Sequence, residues 1–351
     1  MSTNFWLHLT PHFSSVKGED GSDTGKDYKF FNKPFGLLHW LENSDFITSY
    51  DGTKRVIERN TFVILIDPDM ILFRPITIDF SNKKEVILGV AQVVGDEYIV
   101  REGFLFAQEY GFGSQWASLD LAKIAGNNSP VLHVEKSDLR KRAYGPPYIA
   151  YATDMYKIAR KWTEFVPETH RQHPHLLAEM FAYCIAASHL ELPHQTIRSL
   201  MISDSTSMRT EGWPLIEGIP NEEVCEVAFD VDSSKHPLPS VLHYCQRYII
   251  GDWFFGKRRQ PEDFFTCESP LLELPPTDLI QRYDYMIPPP PHKPAGEKKP
   301  LSPQQAKNTV FALCGIISTL NKAGEYFKTN HCRGVTGTRR DKTLNHWHLR
   351  D

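Results

Sequence analysis

No apolar run in this sequence reaches the ~20 residues that a membrane-spanning helix requires. The N-terminus also lacks the basic-then-apolar layout of a secretory signal peptide. The chain as it stands is therefore expected to be soluble, which leaves room for it to be the soluble part of a longer anchored protein. Positive charge is not in excess: 39 Lys and Arg against 43 Asp and Glu leave a net charge of −4. No overall field favours nucleic acid or an anionic membrane as partner. Cysteine is sparse, with six residues at 184, 225, 245, 267, 314 and 332 and no C-x-x-C pair, so zinc-type ligand spacing is absent. An even count late in the chain suits disulfides in an oxidising lumen and buried reduced thiols equally. No internal repeat is present.

What is there is apolar enough for a sizeable core, since 41% of the 351 residues are hydrophobic and 12% aromatic. A polar, Gly- and Asp-rich start around Lys17–Lys26 reads as loop, and Phe35–Leu41 places apolar residues on one helical face. Residues Thr61–Ile66 (TFVILI) form a continuous β-branched run stopped by Asp67-Pro68-Asp69, the pattern of a buried parallel strand. Further strands are expected at Val86–Val94, Tyr148–Tyr151 and Val241–Ile250. Helices are expected at Ala117–Ala125, at Asp154–Phe165 with Asp154 as N-cap, and at His173–Leu190. Proline-rich sequence makes 287–301 a linker. Ser302-Pro303-Gln304-Gln305 then opens an amphipathic helix over 302–330 with a capping serine, first-turn proline and reciprocal glutamine. The basic tail 331–351 is expected to be disordered.

The chemistry concentrates where the apolar strand ends. In open α/β sheets, ligands bind outside the carboxyl ends of strands. Two carboxylates one residue apart, Asp67 and Asp69, can share a magnesium or manganese ion that also takes substrate phosphate oxygens. The alternative is that both merely shape a turn around Pro68. His243, in SVLHYCQRYIIGDW, offers an imidazole to complete the ligand set, and Lys257 offers a phosphate partner. The plainer reading of His243 is a satisfied, half-buried histidine. Glu179 sits in a small, apolar helical stretch where an unpaired carboxylate is costly. It either orients an acceptor hydroxyl or forms a structural ion pair. Lys33 and Arg74 are further candidates to reach phosphate, although most surface cations do nothing specific.

Several segments together resemble the plant and algal peptidyl O-glycosyltransferases, the hydroxyproline O-arabinosyltransferases and peptidyl serine α-galactosyltransferases. They are NKPFGLLHWL at 32–41, FVILIDPDMILFRPI at 62–76, GPPYIAYATDMYKIARKW at 145–162 and AEMFAYCIAAS at 178–188, with weaker likeness in LHYCQRYIIGDWFFGK at 242–257. The resemblance implies an α/β fold of GT-A type, with a mixed, mostly parallel central sheet flanked by helices over 1–286 and a C-terminal helical appendage. It implies a UDP-sugar donor, a divalent cation (Mn2+ or Mg2+), retention of anomeric configuration and a polypeptide acceptor. It also implies residence in the Golgi or secretory-pathway lumen behind an N-terminal anchor. Asp67 and Asp69 match its metal motif, and Lys33, Glu179 and His243 match further motif positions.

The resemblance also places a first strand and uridine-binding loop upstream of the segment matching Asn4 to Pro11. On that reading the chain is either a piece of a longer protein or one compromised in nucleotide binding. The expected activity is transfer of arabinose or galactose from UDP to a hydroxyl of hydroxyproline or serine. The alternatives are a glycosyltransferase acting on glycans and a non-catalytic relative that binds glycan or protein.

Overall fold

The structure is a computed structural model that describes residues 6–18, 20–44, 48–50, 55–57, 61–80, 99–206, 211–231, 234–260, 262–282, 301–333 and 339–346. It is a mixed α/β protein with several small sheets. The chain divides into two units, Met1–Ile66 with Ala91–Ile197, and Asp67–Val90 with Arg198–Asp351. The expected strand at 86–94 and all of the expected linker except Leu301 lie outside the described residues.

In the first unit, strand Tyr144–Tyr151 pairs antiparallel with Phe62–Leu65, Val63 facing Ala150, and antiparallel with Leu105–Glu109, Phe106 facing Ile149. Leu105–Glu109 pairs in parallel with His194–Ile197. This four-stranded sheet is mixed, and the mostly parallel central sheet expected from the sequence is not seen among the described residues. The reason lies in Phe62–Leu65, which stands at the end of the strand order with Val63 buried and Ile64 37% exposed. An unbroken apolar run fits a strand buried on both faces, yet it also fits an outer strand covered on one.

Helix Ala152–Gln172 turns Met155, Ile158, Ala159, Trp162, Phe165, Val166 and Thr169 inward at helical spacing. All but Thr169 belong to the same apolar core as helix Ala178–His189, which is buried on every side from Ala178 to Ser188. Each large side chain so buried contributes about 1.5–3 kcal/mol. Trp162 also donates its indole N–H to the Glu179 carbonyl at 2.6 Å, tying the two helices together. Asp154 is not the N-cap, a role taken by Tyr151, because the helix starts two residues earlier than expected. The Asp154 carboxylate instead accepts the Gly103 N–H at 2.7 Å. The second helix begins at 178 rather than 173: Pro174 disfavours a helical His173 before it, and 175–177 form a bend and turn.

In the second unit, helix Pro303–His331 opens with the expected capping box between Ser302 and Gln305. It is no appendage. Every residue from Ala306 to Ser318 is buried, and its apolar side chains lie within the unit's main core. A helix hydrophobic on all faces belongs at a centre rather than on a surface. Disulfides Cys225–Cys314 and Cys267–Cys332 fasten it at its middle and its end, leaving Cys184 and Cys245 as free thiols among the described residues. Asn321 extends a strand edge by accepting the Leu272 N–H and donating to the Leu272 carbonyl, both at 2.9 Å. Within the expected disordered tail, Arg340–Asp341 forms a strand against Leu271–Leu272, followed by a 3-10 turn at Lys342–Leu344. No described helix is long and apolar enough to cross a membrane.

Candidate metal centre

The second unit contains a three-stranded sheet in which Val241–His243 lies between Met201–Ile202, parallel to it, and Met70–Leu72, antiparallel. Asp67-Pro68-Asp69 makes the turn into Met70–Leu72, closed by the Met70 N–H on the Asp67 carbonyl at 3.2 Å. Pairing then sets His243 directly opposite Met70, and the Tyr244 N–H donates to the Asp69 carbonyl at 3.0 Å. Register, more than side-chain choice, thus brings the imidazole to the acidic turn. His243 Nε2 lies 3.2 Å from Asp69 Oδ1. Lys257, which follows strand Trp253–Gly256, reaches Asp69 Oδ2 with its ammonium group.

The expected single strand Val241–Ile250 is broken. Val241–His243 and Arg247–Ile250 belong to different sheets, the latter forming a hairpin with Trp253–Gly256 about Gly251 at φ +54°. The Tyr244 N–H, on the Asp69 carbonyl, carries the pairing with Met70–Leu72 one residue further, and the chain changes sheet between Tyr244 and Arg247.

Asp67, Asp69 and His243 each offer one ligand atom, and these atoms lie within 4.8 Å of one another. Metal–oxygen bonds of about 2.1 Å place adjacent ligands of an octahedral ion about 3.0 Å apart and opposite ones about 4.2 Å apart, so the side chains would draw together to share an ion. Two carboxylates and an imidazole suit a divalent cation that also keeps open positions for phosphate oxygens and water. Without a cation, the charges of the site are balanced among its own side chains. Burial would raise the Asp69 carboxyl, but hydrogen bonds from His243 and Lys257 and their positive charge overcome it and hold Asp69 well below the usual carboxylate range. Burial would likewise lower His243, which is 8% exposed, yet its interactions with Asp69 and Cys245 outweigh it and raise it to about 9. Asp69 is thus an anion already surrounded by cationic groups.

The remaining candidates fall elsewhere. Lys33 and Glu179 pair with each other in the first unit, Nζ to Oε1 at 2.7 Å, with the Glu179 side chain 3% exposed. Of the two readings offered for Glu179, the ion pair is the contact observed. Arg74 donates from Nη2 to the His236 carbonyl at 2.5 Å. The sequence reading passed over Glu211 and Tyr248, both buried in the second unit. Glu211 accepts from Ser203 N and Oγ, and Tyr248 donates to the Ser203 carbonyl. A lone carboxylate beside Gly212-Trp213-Pro214 was the available clue for Glu211; a tyrosine in an apolar strand offered none.

Fold and site together define a mixed α/β protein carrying an Asp-x-Asp turn with a histidine from a neighbouring strand. Among known proteins, the chain is similar to a peptidyl serine alpha-galactosyltransferase of Arabidopsis thaliana, 23% identical over 278 residues. The match takes in 77% of this chain, which spans about 28% of that relative's length. No family model matches the sequence. No solved structure matches it either.

Proposed function

We propose that the chain is a metal-dependent, retaining glycosyltransferase of GT-A type, acting in the secretory pathway on a UDP-sugar donor and a serine or hydroxyproline hydroxyl of a polypeptide. The observation that carries this reading is the convergence of Asp67, Asp69 and His243 on one point, with Lys257 beside them. The similarity to a peptidyl serine alpha-galactosyltransferase supports the reaction class. The two disulfides agree with an oxidising compartment.

When bound, the cation neutralises the donor diphosphate and stabilises charge on the departing nucleotide. Asp67 and Asp69 supply anionic oxygens and His243 a neutral Nε2, which requires that His243 give up its proton. Lys257, with its side chain 37% exposed, is long enough to leave Asp69 for a phosphate oxygen once the carboxylate has another partner. Retaining chemistry of this kind needs no enzymic nucleophile, the donor phosphate itself taking the acceptor proton.

The test is UDP-galactose and UDP-arabinose turnover with manganese, with and without serine and hydroxyproline peptides, comparing wild type with Asp69→Ala. Loss of ~100-fold or more in the variant is expected, the scale of removing a group that stabilises transition-state charge; equal turnover would discard the metal role. Sugar acceptors run in parallel separate a peptide from a glycan substrate. A binding-only relative would show no turnover and no metal-dependent heat with UDP.

A further inference from the structure

His243 reaches the acidic turn only if its strand end is held, and the support on its far side is a buried polar chain. Tyr248 is 1% exposed, and its hydroxyl donates to the Ser203 carbonyl at 2.6 Å while lying 3.2 Å from the His243 carbonyl. One proton therefore bridges the Ser203 carbonyl, just past strand Met201–Ile202, and the last carbonyl of the parallel strand Val241–His243, where the ladder Met201–Val241, Ile202–Leu242 runs out. Ser203 is itself clamped, its N–H and hydroxyl both donating to the Glu211 carboxylate at 2.5 and 2.6 Å. Asp204 N adds a longer contact to Glu211 Oε1 at 3.4 Å, and Trp213 Nε1 fixes the Asp204 carbonyl at 2.8 Å. The Ser203 and Asp204 N–H and carbonyl groups and the His243 carbonyl are thus tied to the buried side chains of Glu211, Trp213 and Tyr248.

We infer that Tyr248 is a positioning residue for the cation site, acting through the His243 backbone, with Glu211 and Ser203 as the anchor from which it works. This rests on the proposed metal site. A ligand side chain on a strand inherits the position of its own peptide, and groups that orient metal ligands matter nearly as much as the ligands. On one side His243 is fixed by pairing with Met70 and by the Tyr244–Asp69 bond. On the other, the Tyr248 hydroxyl is the polar contact that stops the peptide from sliding past the end of the ladder. Tyr248→Phe keeps the ring and its packing and removes only that bridge. Glu211→Gln keeps the size of the anchor but replaces a carboxylate acceptor by a neutral amide, which weakens the Ser203 N–H bond and, with the amide nitrogen turned to Ser203 Oγ, removes the Asp204 N contact.

The experiment is Mn2+ binding to the full chain by calorimetry, using manganese alone, with melting curves alongside. Nitrogen coupling in the Mn2+ electron spin resonance spectrum reports on His243. Tyr248→Phe should weaken Mn2+ roughly tenfold, the low end for outer groups that orient metal ligands, and diminish the nitrogen coupling at temperatures where the protein is fully folded. Glu211→Gln should move both readouts in the same direction. Tyr183→Phe, which removes a buried hydroxyl from the first unit, should move neither. If His243→Ala weakens Mn2+ while Tyr248→Phe and Glu211→Gln bind it as wild type does, the positioning role is overturned and the metal site stands. If wild type takes up no Mn2+, the site itself falls and this role falls with it. Should Tyr248→Phe fail to fold, Glu211→Gln decides, an unchanged affinity there overturning the inference.

Discussion

His194 ties the stability of the first unit to pH in a direction and size the structure sets. The imidazole is buried on the strand His194–Ile197, with Nδ1 3.1 Å from the Leu192 carbonyl and Nε2 2.8 Å from the Tyr183 hydroxyl. A carbonyl can only accept, so Nδ1 carries the proton and Nε2 accepts from Tyr183. The neutral ring is then fully satisfied, and the face of Tyr144 stacks on it at 4.2 Å. Burial disfavours the charged form, and although the Leu192 contact opposes it, the group is lowered from 6.5 to about 3.

The unfolded chain therefore binds a proton near pH 6.5 that the folded chain refuses until about pH 3. Stability is fully present above pH 6.5 and is lost as pH falls through that window. At 1.36 kcal/mol per unit, two units of acidification cost about 2.7 kcal/mol, and the full window about 4.8 kcal/mol. The assay is urea unfolding of wild type and His194→Gln at intervals from pH 7 to 4.5. Other groups titrate alike in both proteins, so the difference between the two curves isolates His194. It should shrink by about 2.3 kcal/mol between pH 6.5 and 4.5, since the unfolded group is already half protonated at pH 6.5. Parallel curves would refute the argument.

Three further outcomes concern packing. A Cβ on Gly145 would lie 1.9 Å from the Tyr110 ring, so Gly145→Ala should lower stability by about 3 kcal/mol, the upper end for overpacking. Thermal melts should show Tyr110→Ala recovering much of that loss in the double variant. Asn321→Ala leaves the Leu272 N–H and carbonyl without their side-chain partner, and denaturant titration should show a loss of about 3 kcal/mol. Replacing Cys225 and Cys314 by alanine frees a loop with a sequence separation of 89 and should lower stability by about 4.6 kcal/mol in the chain-entropy account. Unchanged melting of the reduced and alanine forms would contradict that.

The parts of the fold legible in the sequence were those whose signal is local. The run at 62–65, the capping box at Ser302 and the helical stripe from Met155 to Phe165 each state their own conformation. What was not legible depends on partners far along the chain. Whether Phe62–Leu65 pairs in parallel depends on Tyr144–Tyr151, and whether the helix from Pro303 is surface or centre depends on what the rest of the second unit leaves uncovered. The acidic turn was readable as a candidate because two carboxylates one residue apart end an apolar strand, although a plain turn around Pro68 fitted the same residues. Its meeting with His243 came from the resemblance and from residue type, since no pattern within 241–250 reveals that Val241–His243 pairs with Met70–Leu72 while Arg247–Ile250 joins another sheet. Glu179 shows the limit of arguing from burial: the same cost that suggested a role is met by Lys33.

The account stands on one cation held between Asp67, Asp69 and His243. Crystals grown with Mn2+ and UDP, measured at the manganese absorption edge, test this most directly. The expected result is a single anomalous peak about 2.1 Å from one oxygen of each carboxylate and from His243 Nε2, with Lys257 turned from Asp69 to a phosphate. A peak elsewhere, or none while Lys257 keeps its hold on Asp69, would contradict it.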